Sequence, residues 1–339
     1  MFEFLIEYGL FLLKAVTILV AIILVISFAA ATKKSSKQEG LVVEDLNQKN
    51  KDLSDELQKA ILRKDEWKTK LKSDKAKIKS DAKKKRSRPK AYVIDFIGDL
   101  KASAVPALRE EVNAILNVAK KNDQVIVRLD NHGGVVHEHG LAASQLVRIR
   151  EKNINLVVMV DKVAASGGYL MACVANKIYA APFAILGSIG VIAQLPNFNR
   201  LLDSHGVDFE QVTAGQYKRN VTMFGKNTDE DRAKLKDQLE EVHDLFKSSV
   251  SDYRPTMDLD KVATGEHWYG KKALELGLAD EIKTSDELLI EMGNKYDVFS
   301  VKFKLKQPLK KRLMSGVDGL FARFEDIKWR RKFEGQLPR

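Results

Sequence analysis

The sequence predicts an α/β fold in which helices pack on a mainly parallel sheet. Three short apolar segments are typical of strands buried on both faces: AYVIDFIGDL from Ala91, QVIVRL over Gln124–Leu129, and Asn155–Val160. Helical periodicity separates them, over Val105–Lys121 and Leu141–Lys152. This alternation of strand and helix favours parallel pairing, because parallel neighbours need a crossover connection.

Two glycine-containing turns follow consecutive predicted strands. DNHGG, Asp130–Gly134, follows the second strand, and AASGG, Ala164–Gly168, follows the third. The carboxyl ends of parallel strands meet at one edge of a sheet, so we expect both turns there, where such folds place their sites. Ser166 would lie beside free backbone N–H groups and the positive end of a helix dipole. A plain helix N-cap is the alternative role for this serine.

Length and charge limit the classes of protein to consider. A chain of 339 residues can bury a sizeable core. Its single cysteine, Cys173, lies in an apolar helical pattern, which excludes an intramolecular disulfide framework and predicts a buried thiol. Most of the net charge of +11 comes from Lys70–Lys90, where eleven basic residues accompany two acidic ones. The excess therefore belongs to that segment, and a nucleic-acid partner for the whole chain is disfavoured.

The N-terminal region predicts a membrane anchor. Leu10–Ala31 is apolar apart from Lys14 and is long enough to contact lipid across a whole bilayer. We interpret it as an uncleaved span, since acidic residues precede it and it is longer than a signal-peptide core. Lysines follow the span, so the positive-inside rule places the bulk of the chain in the cytoplasm.

Composition divides the chain into four predicted regions. Residues 1–32 hold the anchor, 33–90 a charged helical extension with a basic linker, 91–290 a globular domain, and 291–339 a strand followed by a basic amphipathic tail. The extension, from Val42 to about Lys85, has heptad-like spacing with polar interruptions. That spacing fits a weak coiled coil or a solvated amphipathic helix.

The second half of the chain predicts shorter elements. Short buried strands explain Lys177–Ile192 better than a second membrane span, because proline and glycine interrupt it. Thr228 and Asp231 resemble a capping box that opens a long helix to Ser251. The remaining predicted elements are a helix near Asn197–His205, a strand at Phe209–Val212, a helix over Gly265–Asp280, a strand over Val298–Leu305 and a packing helix over Leu309–Trp329.

Four blocks of residues resemble a known family. They read RLDNHGG at Arg128–Gly134, AASGGY at Ala164–Tyr169, GSIGV at Gly187–Val191 and GQYK at Gly215–Lys218. In this order and spacing they are similar to the signal peptide peptidase A family of membrane-anchored Ser-Lys peptidases, peptidase family S49, and in particular to its short, SohB-type members. The later GKKALELGLAD also looks like the family, and the resemblance covers about Ala91–Lys283.

The resemblance implies a serine peptidase and assigns its residues. Ser166 would be the nucleophile and Lys218 the general base, with Ser188 orienting the lysine amine. The backbone N–H groups of Gly133 and Gly167 would form the oxyanion hole. The resemblance also implies a Clp protease/crotonase-like spiral of strand-strand-helix units, a homo-oligomeric ring or dome, apolar peptide substrates such as signal-peptide remnants, and chemistry that needs no metal or organic cofactor.

The chemistry of the assigned residues is coherent by itself. A serine hydroxyl is a poor nucleophile until a base removes its proton. A lysine can be that base only when neutral, which requires apolar surroundings. Residues near Lys218 such as Tyr217 and Phe224 can supply them, whereas Arg219 and a loop position indicate incomplete burial before assembly or substrate binding. Without the resemblance, Lys218 would be interpreted as a solvated loop lysine.

The loop before Gly133 departs from the family pattern. Asn131-His132 stands where the family usually has Ser-Pro, and the loss of proline removes a fixed backbone angle. The histidines keep two alternatives open, a Clp-like Ser-His-Asp peptidase and a metal site. Polar loop histidines near a cleft are the simpler interpretation. The residues concerned are Asp130, His132, His137, Glu138 and His139.

Two further alternatives change the class of protein. A crotonase-like enzyme acting on an acyl-CoA ranks low, because no adenine or pyrophosphate site is evident. A catalytically silent membrane scaffold would use the basic helix to recruit lipid or nucleic acid. For location we expect a bacterial inner membrane with a single span. The resemblance favours a periplasmic catalytic domain over the cytoplasmic one that the charges indicate, since a long translocated domain can override flanking charges.

Overall fold

The computed structural model describes residues 6–19, 22, 39–83 and 88–306. The chain divides into two compact units, Leu41–Phe303 and a second made of residues 1–40 and 304–339. Residues 6–19 of the second unit are helical, and no helix in the described ranges is both long and apolar enough to cross a membrane. The predicted span Leu10–Ala31 lies only in part within those ranges, and the predicted tail helix Leu309–Trp329 lies outside them.

The unit Leu41–Phe303 is an α/β structure, as predicted. Its strands are β1 (Gly40–Asp45), β2 (Lys90–Ile97), β3 (Gln124–Asp130), β4 (Asn155–Val160), β5 (Val163–Ala165), β6 (Lys177–Ala180), β7 (Ile185–Gly187), β8 (His267–Tyr269), β9 (Glu281–Ile282) and β10 (Asp297–Lys304). Its helices are α1 (Leu46–Ile61), α2 (Lys64–Lys83), α3 (Val105–Val118), α4 (Val136–Glu151), α5 (Gly167–Cys173), α6 (Asn199–Ser204), α7 (Asp229–Tyr253), α8 (Leu259–Val262), α9 (Gly270–Glu275) and α10 (Ser285–Gly293).

Seven strands form one large sheet, in the spatial order β1-β10-β2-β3-β4-β6-β9. Every pairing from β10 to β9 is parallel, with helices in the connections. The predicted strands at Gln124 and Asn155 are neighbours in register, so their carboxyl ends meet at one edge. This arrangement confirms the predicted parallel sheet and brings the two glycine-containing turns together.

Both faces of the large sheet are buried, which explains the continuous apolar strands. Successive side chains of β2 alternate between two cores: Tyr92 and Ile94 pack with α3, α4 and α5, while Ala91 and Val93 pack with α10. Cys173 belongs to the larger core, where burial raises the pKa of its thiol to about 12. The predicted buried cysteine is therefore confirmed.

The charged extension differs from the predicted single helix. Val42–Asp45 belongs to the edge strand β1, and two helices follow with a break at Leu62. Asn47 fixes the start of α1 because its Oδ1 accepts the Val298 N–H at 2.7 Å. An ion pair of 2.6 Å between Lys70 and Asp55 joins α1 and α2. An apolar run can become a strand here because β10 offers an unpaired edge.

Two other predicted elements are wrong. Phe209–Val212 forms no strand and is exposed. Gly265–Asp280 is not one helix, because His267–Tyr269 pairs with β7 and only Gly270–Glu275 is helical. The capping box is confirmed, since the Thr228 side chain accepts the Asp231 N–H and Asp231 accepts the Thr228 N–H.

Glu111 on α3 makes stability depend on pH. Its side chain is buried and accepts the Phe303 N–H at 2.7 Å, and burial raises its pKa from 4.5 to about 7. The folded chain thus holds this proton to higher pH than the unfolded chain. The free energy of unfolding should fall by up to about 3 kcal/mol as pH rises through this window.

Glu111→Gln keeps the acceptor oxygen and removes the titration, so it should lose this part of the pH dependence. Denaturant unfolding of both proteins across the window measures it. An equal fall in both proteins would assign the effect to other groups.

Candidate active site

Ser166 lies in a strained turn between β5 and α5. Its backbone has φ 52° and ψ −121°, a conformation that favours glycine. The N–H of Ser166 donates to the Gly187 carbonyl at 2.8 Å, and its carbonyl accepts the Leu170 N–H at 3.0 Å. The side chain does not cap the helix, which leaves the half-buried hydroxyl available. Ser166 thus stands at the N-cap position of α5 without making the side-chain hydrogen bond of a plain N-cap.

A small three-stranded sheet places Ser188 beside Ser166. Ala165 and Gly187 are paired residues of β5 and β7, and each is followed by a serine with φ 52°. The Ser188 N–H donates to the Glu266 carbonyl at 2.6 Å. Both serines line an open cavity of about 1090 Å³. Two serines that are distant in the sequence thus share one site.

The Gly133 loop contacts the Ser166 turn directly. Gly133 has φ 85°, and a Cβ added there would lie 2.7 Å from the Gly167 nitrogen and 2.8 Å from Ser166 Cβ. Gly167 is the first residue of α5, so its N–H has no acceptor within the helix. The Gly133 N–H, however, donates to Asn131 Oδ1 at 2.9 Å. The predicted oxyanion groups are therefore adjacent, and one of them already has an acceptor.

Asn131 and His139 lie beneath these loops. The sequence offered His139 only as one histidine of the triad and metal alternatives, and Asn131 only as a departure from the family pattern. Both side chains are buried. Ring nitrogen Nε2 of His139 is 3.2 Å from Asn131 Oδ1, and Nδ1 is 3.0 Å from the Val135 carbonyl oxygen. A Cβ on Gly167 would lie 2.5 Å from the His139 ring, which explains the glycine. Their pairing has no signal in the sequence, because it joins a loop residue to a side chain of α4.

Lys218 is not brought to Ser166 by this arrangement. It lies in an irregular segment in which residues 203–219 are all exposed, and its N–H donates to the Gly215 carbonyl at 3.1 Å. Its Nζ makes no hydrogen bond or ion pair with any described residue. Lys218 lines neither the cavity of about 1090 Å³ nor a smaller cavity of about 490 Å³ beside Ser166.

Other titratable side chains do line the site. His132 lines the cavity of about 1090 Å³, as do Lys236 and His243 of α7, which the sequence analysis missed. His243 Nε2 lies 3.2 Å from the Ile189 carbonyl oxygen. Asp130 pairs with Lys162 at 3.1 Å. In the described part of the chain no histidine forms a hydrogen bond or an ion pair with Asp130, and no group of His, Cys, Asp and Glu residues could hold a metal ion.

A second, mainly apolar cavity of about 490 Å³ opens beside Ser166 and Gly167. It lies between α4, α5 and α7. Its apolar lining includes Ala143, Val147, Leu170, Val242, Leu245 and Phe246. A cavity of this kind can hold an apolar side chain next to the serine hydroxyl.

The strain at Ser166 can be measured through stability. Glycine adopts φ 52° at no steric cost, whereas alanine retains the strain of the turn. We expect Ser166→Gly to have a free energy of unfolding about 1 kcal/mol higher than Ser166→Ala. Denaturant unfolding of the two variants checks this, and equal stability would show that the turn stores no strain.

Comparison with known proteins identifies the family. Residues 3–146 match the family described as peptidase family S49 N-terminal, and residues 148–298 match peptidase family S49. A probable protease SohB of Haemophilus influenzae is 46% identical over 319 residues, covering 90% of each chain. A probable protease SohB of Buchnera aphidicola subsp. Schlechtendalia chinensis is 46% identical, covering 85% of this chain and 99% of that one.

Among solved structures, the chain is similar to a 1510-N membrane-bound stomatin-specific protease mutant in complex with a substrate peptide. The two are 14% identical with a TM-score of 0.42, over 68% of this chain and 99% of that one. The predicted family is confirmed by the sequence matches: the chain belongs to peptidase family S49.

Proposed function

We propose that this peptidase is a membrane-anchored serine endopeptidase with a Ser166–Lys218 dyad. The observation that carries the proposal is the position of Ser166. It occupies a strained turn, contacts the Gly133 loop, lies beside Ser188 and opens on two cavities. Nucleophilic serines need this combination of an exposed hydroxyl and nearby backbone N–H donors.

The proposed reaction begins once Lys218 has come within reach of Ser166. Ser166 Oγ attacks the peptide carbonyl carbon while Lys218 Nζ accepts the hydroxyl proton. The N–H groups of Gly167 and Gly133 stabilise the oxyanion of the tetrahedral intermediate. Lys218 then returns the proton to the leaving amine, and an acyl-enzyme forms on Ser166. Water activated by Lys218 hydrolyses the ester, and Ser188 orients the lysine amine.

Lys218 must approach Ser166 for this chemistry, and self-assembly provides a reason for it to do so. The segment that carries Lys218 exposes many apolar side chains, including Ile192, Leu195, Leu201, Val207 and Val212. An exposed apolar surface of this kind is typical of an interface. We propose that a homo-oligomeric ring or dome covers the segment and surrounds Lys218 with apolar groups, which favours the neutral amine.

The apolar cavity beside Ser166 supports apolar peptides as substrates. Its volume of about 490 Å³ suits a large aliphatic or aromatic side chain adjacent to the cleaved bond. Remnants of signal peptides have this character. Burial of such a side chain would position the carbonyl carbon at Ser166 Oγ.

Location and domain arrangement complete the proposal. We propose that Leu10–Ala31 anchors the protein in the bacterial inner membrane, with the catalytic domain in the periplasm. The proposed regions are the anchor 1–32, the extension 33–90, the peptidase domain 91–290 and the C-terminal region 291–339. Nucleic acid is not a proposed partner, because the excess positive charge is confined to the extension.

Activity of variants tests the dyad. Turnover of an apolar peptide should fall on the order of 10⁴-fold or more in Ser166→Ala and Lys218→Ala, since residues of one catalytic unit each remove most of the rate. Wild-type activity should rise with pH to a plateau, because the base must be neutral. Lys226→Ala changes an exposed lysine of the same region and is the matched control.

Each alternative gives a different result in this assay. An inactive His132→Ala with an active Lys218→Ala would replace the dyad by a Clp-like Ser-His-Asp site. Absence of turnover together with absence of labelling by a serine-reactive fluorophosphonate would favour the scaffold.

The apolar cavity makes a separate prediction about specificity. Gly140 lines it, and a Cβ added there meets no atom within 4 Å, so a larger side chain can enter the cavity without a clash. Gly140→Leu should lower kcat/KM for peptides with leucine or phenylalanine before the cleaved bond by about tenfold or more relative to alanine peptides. Parallel assays of matched peptides measure the ratio. An unchanged ratio would place the substrate side chain elsewhere.

A further inference from the structure

The Asn131 side chain accepts a hydrogen bond from the Gly133 N–H, a group that the oxyanion of the proposed mechanism needs. The residue is fully buried. Its backbone N–H donates to the Val163 carbonyl at 2.9 Å, and its carbonyl accepts the Ala165 N–H at 3.0 Å. Its side-chain Oδ1 accepts the Gly133 N–H at 2.9 Å. The side chain of Asn131 therefore competes with a substrate oxyanion for the Gly133 N–H.

His139 and Met171 together determine which way the Asn131 amide points, since the Asn131 NH₂ group donates to Met171 Sδ at 3.4 Å. The ring is buried, and its two nitrogens face two oxygen acceptors, the Val135 carbonyl at 3.0 Å and Asn131 Oδ1 at 3.2 Å. A neutral imidazole carries one N–H donor, whereas the imidazolium carries two. Only protonated His139 can therefore donate to both oxygens. Protonation holds Oδ1 where it also accepts the Gly133 N–H.

The neutral ring with its proton on Nδ1 favours a different amide orientation, whereas the Nε2–H tautomer would place the Nδ1 lone pair against the Val135 carbonyl oxygen at 3.0 Å. With the proton on Nδ1, the ring keeps its hydrogen bond to Val135, and the Nε2 lone pair faces Asn131 Oδ1. Two facing acceptors repel, so the amide is better placed with its NH₂ group donating to Nε2. The oxygen then no longer accepts the Gly133 N–H. That N–H becomes available to an oxyanion on the Ser166 side.

Building on the Ser-Lys mechanism of the preceding section, we propose that Asn131 and His139 are positioning residues that control the availability of the Gly133 N–H. Protonated His139 holds the amide in the arrangement that occupies this N–H. Neutral His139 releases it for the tetrahedral intermediate. Both act on the oxyanion through the Gly133 loop, and His139 also lines the apolar cavity of about 490 Å³.

Among the described residues, the hydrogen-bond partners of the His139 ring are the Val135 carbonyl oxygen and Asn131 Oδ1. The titratable groups that line the same cavity are His137 on its own helix, Cys173 on α5, and Asp252 and Tyr253 on α7. Glu138, next to His139, lies 3.8 Å from the His137 ring. None of these groups forms a hydrogen bond with His139 among the described residues.

The pH dependence of kcat/KM tests the proposal in the full-length protein. When both Lys218 and His139 must lose a proton, the acid limb of log kcat/KM against pH approaches a slope of two. His139→Gln keeps a hydrogen-bonding group without titration, so its acid limb should have a slope of one. A slope of one in wild type, or the same slope in both proteins, would overturn the proposal.

Two substitutions of Asn131 make the test independent of whether His139→Gln folds. Asn131→Asp keeps an oxygen on the Gly133 N–H and pairs with the imidazolium, so kcat should fall about a hundredfold or more with a smaller change in KM, as when an oxyanion donor is lost. Asn131→Ser shortens the side chain beyond reach of His139, and its acid limb should have a slope of one. A wild-type kcat in Asn131→Asp would contradict the proposal.

Failure of this inference can be told from failure of the dyad. Ser166→Ala is measured in the same series. Full activity of Ser166→Ala would remove the serine mechanism itself. If Ser166→Ala and Lys218→Ala are both inactive while His139→Gln retains the wild-type slope, the dyad stands and the positioning role is wrong.

Discussion

The backbone hydrogen bonds of Asn131 are the constraint on which the site depends. They form an isolated parallel bridge to Ala164, which continues the pairing of the large sheet into the small one. This bridge holds the Gly133 loop in contact with the Ser166 turn. The close approach also requires Gly168, because a Cβ there would lie 2.1 Å from the Asn131 carbonyl oxygen. A peptidase of this family thus needs its glycines for backbone contact as well as for turn geometry.

The strain of the nucleophile turn is balanced by packing below it. Ser166 and Ser188 each have φ 52°, at a cost of about 1–3 kcal/mol per residue. Their N–H groups donate to the carbonyls of Gly187 and Glu266, so the backbone has its hydrogen bonds despite the unusual angles. Helix α5 is almost wholly buried, and its apolar side chains anchor the turn in the larger core. The buried helix α5 thus holds the proposed nucleophile in a conformation that an isolated loop would not keep.

The region that carries Lys218 is exposed, in contrast to the buried support of the Ser166 turn. Residues 203–219 are all exposed, and few hydrogen bonds join the segment to the core. Three aromatic rings, Phe198, Phe209 and Phe224, pack mainly against one another. A local cluster of partly exposed aromatic rings gives little stability and is available to a partner surface. The contrast between the rigid Ser166 turn and the exposed segment around Lys218 is the physical reason to connect the proposed activity with assembly.

Sequence alone determined the features that depend on local pattern. The strand Asn155–Val160, the buried Cys173 and the capping box at Thr228 follow from periodicity and side-chain chemistry, and the spacing of four motifs identified the family. Tertiary structure decided what depends on distant partners. Val42–Asp45 became a strand because β10 offered an edge, and Phe209–Val212 did not because no strand lies beside it. The bond from the Gly133 N–H to Asn131 Oδ1 is a local turn contact, two residues apart. The contact of Asn131 with His139, by contrast, arises only when folding brings the loop over α4, since a hydrogen bond between side chains leaves no periodic trace in a sequence.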